Sequence, residues 1–109
     1  KMPHEVADDA EFKAVLAANQ YVCVDFMATW CGPCKRIAPT LVKFEKAVPN
    51  MKFIKVDVDK LAAVAERYGI TAMPTFVFFK DGKVVDGATV KGADVGAVKK
   101  SIKAAMSAC

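Results

Sequence analysis

The chain has 109 residues, of which 54% are hydrophobic, and it carries a formal net charge of +4 at pH 7. This length suits one domain with a real core and is too short for two, so we expect a single domain over residues 1–109. The lysines are scattered without interleaved aromatic residues, and no apolar run reaches the length of a membrane span. Composition therefore argues against a nucleic-acid-binding protein and against a transmembrane protein.

The cellular compartment is predicted from the N-terminus and the cysteines. Acidic residues precede any long apolar run at the N-terminus, so no secretory signal is predicted. Of the four cysteines only Cys31 and Cys34 are closely spaced, which suits a reducing compartment better than a disulfide scaffold. We expect a cytoplasmic protein, with an organellar location after removal of a transit peptide as the alternative.

Apolar periodicity and turn residues predict strands and helices in alternation along the chain. In chain order we expect a strand at 2–6, a helix from Asp8, a strand at 21–27, a helix from about 33 to 48, a strand at 51–58, a helix from Asp59 to Gly69, a strand at 75–79, a strand within 83–91, and a helix after Asp94. Asp8, Asp59 and Asp94 are predicted helix caps, Asp8 forming a capping box with Glu11. This order of elements predicts an α/β layer structure.

Three details of these elements are also predicted. Pro39 lies inside the second helix and is expected to kink it, and Pro49-Asn50 is expected to end it. Asp81-Gly82 between two apolar runs predicts a hairpin, so one strand pair is antiparallel and the sheet is mixed. The last helix is expected to bury the apolar positions of one face: Val95, Val98, Ile102 and Met106.

The sequence Cys31-Gly32-Pro33-Cys34 lies where the second strand gives way to a helix. Cys31 is expected at the helix N-terminus, where free N–H groups and the helix dipole favour a thiolate. Cys34 is about one turn further on the same side, at a spacing that permits a disulfide. A bond closing so short a loop stabilises the fold by only about 2 kcal/mol, so we interpret it as one that opens and closes.

Half of a zinc site and a pair of idle thiols are the alternative interpretations of these cysteines. Zinc needs about four ligands. Only Cys23, Cys109 and His4 remain in the sequence as soft ligands, and none of them lies at paired spacing. We therefore predict no metal site.

Three stretches of this chain resemble the thioredoxin family: Asp25-Phe26, Ala28-Thr29-Trp30-Cys31-Gly32-Pro33-Cys34-Lys35 and Met73-Pro74-Thr75. The resemblance covers nearly the whole chain. It implies a thioredoxin fold with three α/β/α layers, in which four helices flank a central mixed five-stranded sheet. It also implies a protein disulfide reductase, in which Cys31 attacks the substrate and Cys34 resolves the mixed disulfide.

The resemblance further implies which partners supply electrons. No bound cofactor is expected, and the oxidised protein would be reduced by the flavin-containing, NADPH-dependent thioredoxin reductase. The substrates would be proteins with disulfides, and the protein would be a monomer. The alternative function is a redox-gated binding module with little turnover, which grips its partners in one redox state only.

Asp25 is the one acidic residue in an otherwise apolar strand. A buried carboxylate is costly unless it is paired or protonated, and the alternative is a strand-end residue that meets water or a backbone N–H. The resemblance implies that Asp25 lies beneath the disulfide and takes the proton of Cys34, with Lys55 as its partner. Lys55 is equally interpreted as a solvated lysine of the third strand.

The resemblance also implies a substrate-binding surface around the disulfide. Its expected members are Trp30, Gly32, Pro33, Ala72, Met73, Pro74 and Gly92. The Met73–Pro74 peptide bond is expected to be cis and to face the disulfide, with the Met73 backbone pairing with the substrate chain. Trp30 is interpreted as either a core residue or a partly exposed apolar platform.

Two features depart from the family pattern, and two cysteines lie outside the motif. Met27 stands where the family often has an aromatic residue, and the segment from Gly82 to Gly92 is about two residues longer than usual. Cys23 is expected to be a buried small hydrophobe. Cys109, at the C-terminus, is expected to be idle or to cross-link two chains.

Overall fold

In the computed structural model, which describes residues 3–107, a mixed sheet separates two pairs of helices. The elements are β1 His4–Glu5, α1 Asp9–Ala18, β2 Tyr21–Met27, α2 Gly32–Ala47, β3 Met51–Asp57, α3 Ala62–Arg67, β4 Thr75–Lys80, β5 Lys83–Val84, β6 Val90–Lys91 and α4 Val95–Ser107. The three-layer α/β/α architecture with four helices is as predicted. Met2, placed by the sequence in the first strand, lies outside the described residues.

The sheet places β2 at its centre. Its order is β1-β3-β2-β4, with β1, β3 and β2 parallel and β4 antiparallel to β2. Asp25 therefore has Lys55 of β3 on one side and Phe76 of β4 on the other. The two crossovers between parallel strands are made by α1 and α2, and these helices lie on opposite faces of the sheet.

The prediction of five strands is wrong in one respect, because the last strand is divided into β5 and β6. Both pair with β4, where Val84 lies opposite Phe79 and Val90 lies opposite Phe76. From Val84 to Val90 this edge advances six positions while β4 advances three, so three surplus residues lie between the two paired segments, and the Val85 N–H still donates to the Phe78 carbonyl at 2.8 Å. Gly87, with φ +79°, lies in the loop that holds the surplus residues. The hairpin before β5 is as predicted, with Asp81 and Gly82 both at positive φ, as a tight hairpin turn requires.

Two of the three predicted helix caps are confirmed. Asp8 Oδ1 accepts the Glu11 N–H at 2.8 Å, and Asp94 Oδ1 accepts the Ala97 N–H at 2.9 Å. The Glu11 carboxylate reaches the Ala7 N–H rather than that of Asp8, so the capping box is displaced by one residue.

The prediction that Asp59 caps the third helix is wrong. The helix begins later, at Ala62, and its capping residue Leu61 makes no side-chain hydrogen bond. Asp57, at the end of β3, instead accepts the N–H groups of Asp59 and Lys60 and turns the chain there. The helix ends at Arg67, and Gly69 terminates it as predicted two residues later, with a φ of +66° that suits a residue without a Cβ.

Helix α2 begins at Gly32, so Pro33 is its second residue, and it ends at Ala47, before Pro49-Asn50. Pro33 costs no intrahelical bond at this position, because the first N–H groups of a helix have no partner within it. Pro39 lies inside α2 as predicted, and the kink expected there stays a prediction.

The core consists of two apolar layers, one on each face of the sheet. On one face α1 and α3 cover Val22, Val24 and Phe26. On the other α2 and α4 cover Cys23, Phe53 and Phe76. One expectation for α4 is wrong, because Val95 is 42% exposed at the first turn, while Val98 and Ile102 are buried as predicted. Within the described residues, no helix combines the length and apolarity that crossing a membrane requires.

Candidate active site

The site begins where β2 leaves the sheet and α2 starts. Cys31 is the residue that caps α2, and its Sγ accepts the backbone N–H of Cys34 at 3.2 Å. Cys31 and Cys34 form a disulfide with a Cα–Cα distance of 5.3 Å. Both residues are largely buried, at 4% and 6% exposure. The sulfur at the helix N-terminus therefore has an N–H group directed at it, as the sequence predicts.

The loop before β4 closes over Cys31. The Met73–Pro74 peptide bond is cis, as expected, and the Met73 carbonyl oxygen lies 3.7 Å from Cys31 Sγ. The Thr75 hydroxyl donates to the Ala72 carbonyl at 2.6 Å, which holds this loop against β4. Gly92, with φ +96°, donates its N–H to the Pro74 carbonyl at 2.7 Å. The expected rim residues on this side of the disulfide therefore lie together.

Trp30 is an exposed platform and not a core residue. Its side chain is 65% exposed, and its indole N–H donates to Asp59 Oδ2 at 2.9 Å. The sequence assigned Asp59 to a helix cap and missed this contact. Nothing in the sequence pattern links the two residues, because the contact joins the turn after β2 to the turn after β3, 29 residues further along the chain.

A cavity of about 330 Å³ opens beneath the disulfide, and we call it the Asp25 cavity. It is lined by Asp25, Met27, Ala28, Thr29, Cys34, Lys35, Ala38 and Lys55. Asp25 is 5% exposed, and its Oδ1 has no hydrogen-bond partner among the described residues. Asp25 and Cys34 thus border one space, as the resemblance implied for the base and its thiol.

Burial raises the pKa of Asp25 to about 7, and the positive charge of Lys55 opposes that rise. Lys55 lies beside Asp25 in the parallel register of β2 and β3 and is half-buried. Among residues 3–107 no ion pair within 4 Å joins the two, so Lys55 acts on Asp25 through space across the cavity. A carboxyl group with this pKa gains or loses its proton near neutral pH.

Cys23 lies two residues before Asp25 on the same strand and is 1% exposed. Burial, and to a lesser degree the charge of Asp25, raises the pKa of the Cys23 thiol well above its ordinary value. This thiol is therefore the inert hydrophobe that the sequence predicts. Cys109 lies outside the described residues.

Six residues that border the disulfide or the cavity were not predicted as site residues: Met27, Ala28, Thr29, Lys35, Ala38 and Val58. Lys35 and Ala38 line the Asp25 cavity, and Val58 packs against the cluster of Ala28, Cys31 and Cys34. Ala38 is one helical turn after Cys34, so helical periodicity carried a signal for it. Within residues 3–107, no three His, Cys, Asp or Glu side chains come together as metal ligands would.

Comparison with known proteins agrees with this site. The family model described as Thioredoxin matches residues 3–107. Thioredoxin-1 of Saccharomyces cerevisiae is 48% identical over 95 residues, which are 87% of this chain and 90% of that protein. The structure of Plasmodium falciparum thioredoxin superposes with a TM-score of 0.87 at 46% identity, covering 93% of this chain and 97% of the other.

A third relative is a mitochondrial protein. The oxidised form of mitochondrial Thioredoxin 3 from Saccharomyces cerevisiae superposes with a TM-score of 0.87 at 39% identity, covering 94% of each chain. This chain therefore belongs to the thioredoxin family, has the thioredoxin fold, and is a thiol–disulfide oxidoreductase of the protein disulfide reductase type, with Cys31–Cys34 as its redox-active disulfide.

Proposed function

We propose that the two cysteines have different roles in disulfide reduction. In the reduced protein the Cys31 thiolate attacks one sulfur of a substrate disulfide, forms a mixed disulfide and expels the other substrate sulfur as a thiolate. Cys34 then loses its proton, attacks Cys31 Sγ and releases the second substrate thiolate. Two electrons pass from the dithiol to the substrate, and the Cys31–Cys34 disulfide results.

The observation that carries this proposal is the hydrogen bond from the Cys34 N–H to Cys31 Sγ at the start of α2. Such a bond and the helix dipole stabilise negative charge on Cys31 in the reduced protein, which favours its thiolate as the nucleophile. Cys34 lies inside the first turn and borders the Asp25 cavity instead. It therefore needs a base before it can attack.

Asp25 is the base in this proposal. Its raised pKa, about 7, makes its carboxylate basic enough to accept a proton from a thiol near neutral pH. Its unpartnered Oδ1 leaves one acceptor position open. Lys55 assists through its positive charge, which opposes the rise in the pKa of Asp25 and so keeps part of the Asp25 population ionised.

The substrate-binding surface is proposed to surround the exposed edge of the disulfide. Trp30, Gly32 and Pro33 come from the α2 side, and Ala72, Met73, Pro74 and Gly92 come from the β4 and β6 side. Met73 belongs to no strand, and in the described part of the chain neither its N–H nor its C=O has a backbone hydrogen bond. Its backbone is thus free to pair with an extended substrate segment, as in strand addition.

We also propose partners and a compartment. The electron donor is the flavin-containing thioredoxin reductase, which takes electrons from NADPH, and the acceptors are disulfide-containing proteins. The protein acts as a monomer in the cytoplasm, with a Cys109-linked dimer as an oxidised side product. The unpaired Cys23 thiol supports a reducing compartment.

The test is reduction of insulin disulfides with NADPH and thioredoxin reductase supplied. We expect NADPH to be oxidised catalytically only when this protein, thioredoxin reductase and insulin are all present. The loss of NADPH is followed by its absorbance. Stoichiometric binding of oxidised or reduced partner proteins without NADPH turnover would instead identify a binding module. A Cys31→Ser, Cys34→Ser double variant controls for turnover by the reductase alone.

A further inference from the structure

Charged residues are distributed unequally among the four helices. Helix α2 carries four cations and one acidic residue, and α4 carries three cations and no acidic residue. These two helices have a net charge of +6, whereas the whole chain has +4, so all other segments together are acidic. Both helices pack on the same side of the sheet, so this charge lies on one side of the molecule. We call the seven side chains Lys35, Arg36, Lys43, Lys46, Lys99, Lys100 and Lys103 the basic face.

The cations of the basic face have no acidic partners. All seven residues are exposed, and among residues 3–107 none of them is in an ion pair within 4 Å. The ion pairs of the described chain lie elsewhere, as in Lys13–Asp9, Arg67–Asp9 and Lys60–Glu5. Glu45 is the one acidic residue of these two helices, so the seven cations outnumber it and repel one another, and an approaching negative surface relieves that repulsion.

The basic face begins at the reactive centre. Arg36 Nη1 lies 3.7 Å from the position that a Cβ of Gly32 would occupy, so the guanidinium borders one of the two residues between the cysteines. Lys35 follows Cys34 directly. Lys43 is nine residues after Cys34 on the same helix, which is about 13 Å along its axis. A partner whose disulfide meets Cys31 therefore places its neighbouring surface over these cations.

We infer that the basic face selects protein substrates whose disulfide is bordered by Asp and Glu side chains. Charge complementarity over an area next to the reacting atoms raises the rate of productive encounter. Nucleic acids and anionic membranes also carry negative charge, but the side chains of the basic face disfavour both as partners. Helices α2 and α4 expose no aromatic residue for base stacking, and Val95 is the one large apolar side chain that they expose for insertion into lipid.

The inference rests on the proposed role of Cys31 as nucleophile, and its test separates the two. Disulfide-bridged peptide dimers with four Glu, four Gln or four Lys residues on one side of the cysteine are compared, each in both chain orders. Neutral 2-hydroxyethyl disulfide reports the chemistry alone. At an ionic strength of about 10 mM we expect kcat/KM for the better Glu peptide to exceed that of its Gln counterpart about ten-fold. At about 0.5 M salt the preference should nearly vanish.

Two variants with the same change in net charge localise the effect. In Lys43→Glu, Lys46→Glu the preference for the Glu peptide should be lost, while the rate with 2-hydroxyethyl disulfide stays unchanged. In the control Lys52→Glu, Lys83→Glu, which alters exposed lysines on β3 and β5, the preference should remain. Equal losses in both variants, or equal rates for Glu and Gln peptides in the parent protein, would overturn the inference.

Competition distinguishes the remaining anionic partners. Duplex DNA or phosphatidylserine vesicles are added to the reaction with the Glu peptide at matched negative charge. We expect neither to inhibit the reaction more than free Glu peptide lacking cysteine does. Stronger inhibition by DNA or by vesicles, lost in Lys43→Glu, Lys46→Glu, would assign the basic face to that polyanion and contradict the inference. Failure of the proposed function itself would show as lost turnover of 2-hydroxyethyl disulfide.

Discussion

The two faces of the sheet border different environments, although the same strands form both. On the α1/α3 face, β2 presents Val22, Val24 and Phe26 to a closed apolar layer. On the α2/α4 face, Cys23 of β2 packs in a second apolar layer, and Asp25, two residues later, borders an open cavity. The chemistry therefore occupies one end of one face, and the remainder of the core serves stability.

The contrast between Cys23 and Asp25 shows how little separates the two environments. They lie two residues apart on one strand face, and both are buried. For Cys23 burial leaves an inert thiol, whereas for Asp25 burial next to a space shared with Cys34 and Lys55 leaves a carboxyl group that titrates near neutral pH. We propose that the space shared with Cys34, together with the effect of burial on its pKa, is what makes Asp25 available as a base.

The largest effect is expected at the disulfide. Cys34→Ser should abolish turnover and accumulate substrates as mixed disulfides on Cys31, because no resolving thiol remains. Cys31→Ser should abolish turnover without accumulating them, since its Cys34 thiol lacks the helix-terminal position. Non-reducing gels of each variant with oxidised insulin would show the difference. Equal accumulation by both variants would contradict the assignment of roles.

A large loss of stability without loss of chemistry is expected on the α1/α3 face. Phe12 is fully buried and packs against Tyr68 and Phe79 at centroid distances of 5.8 and 6.2 Å. Phe12→Ala should lower the free energy of unfolding by about 3–5 kcal/mol, and Phe12→Leu by less. The turnover rate per folded molecule should stay unchanged. Denaturation curves and insulin reduction at low temperature would test this, and a fall in turnover of the folded fraction would break the comparison.

The opposite effect is expected for Asp25. The pKa of Asp25 is about 7 in the folded protein, whereas its ordinary value is 3.8. The folded state thus retains a proton that the unfolded state loses, so the carboxyl group destabilises the fold increasingly as pH rises from about 4 to 7. Asp25→Asn should match the parent protein near pH 4 and exceed its free energy of unfolding by about 1–3 kcal/mol at pH 8.

Denaturation of the oxidised parent protein and of Asp25→Asn at both pH values would measure this difference. Asp9→Asn on α1 is the matched control, because its exposed carboxylate is paired with Arg67 and has a lowered pKa. That change should not stabilise the protein at pH 8. A marked loss of stability in Asp25→Asn would mean that the carboxylate is a structural residue.

The smallest effect is expected where Trp30 meets Asp59. Asp59→Ala removes the acceptor of the indole N–H, so Trp30 should become more mobile while the disulfide geometry stays intact. A single exposed hydrogen bond contributes about 0.5–1.5 kcal/mol, so KM for insulin should rise a few-fold with kcat nearly unchanged. Fluorescence anisotropy of Trp30, the one tryptophan, would report the mobility. Unchanged anisotropy would remove this contact from the account of the substrate-binding surface.

Local signals predicted most of the fold, and the errors arise where two segments meet. The bounds of β2 follow from its apolar residues, and Gly69 and the Asp81-Gly82 turn are recognised by the conformations they permit. The divided edge of β5 and β6 was not predicted, because it depends on how an advance of six positions on this edge is matched to three positions of β4. Asp59 was misassigned for the same reason, since its partner Trp30 is distant in sequence.

For the site, the sequence alone located Cys31 and Cys34 and marked Asp25 as anomalous. The roles of Asp25, Lys55 and the Met73–Pro74 loop came from the family resemblance. Periodicity places Asp25 on a strand face but contains no information on what lies opposite it. The space bounded by α2 and β3 is a property of packing, so the Asp25 cavity was visible only in the structure.

The most direct test of the central claim is single-turnover kinetics of the reduced parent protein and of Asp25→Asn between pH 6 and about 9.5. Stopped-flow measurements separate formation of the mixed disulfide, which needs Cys31, from its resolution, which needs the thiolate of Cys34. We predict that formation is nearly unchanged in Asp25→Asn. Resolution should be slowed most near neutral pH, with a defect that shrinks as Cys34 ionises unaided at high pH. A defect confined to formation, or a resolution defect independent of pH, would contradict the role of Asp25 as the base for Cys34.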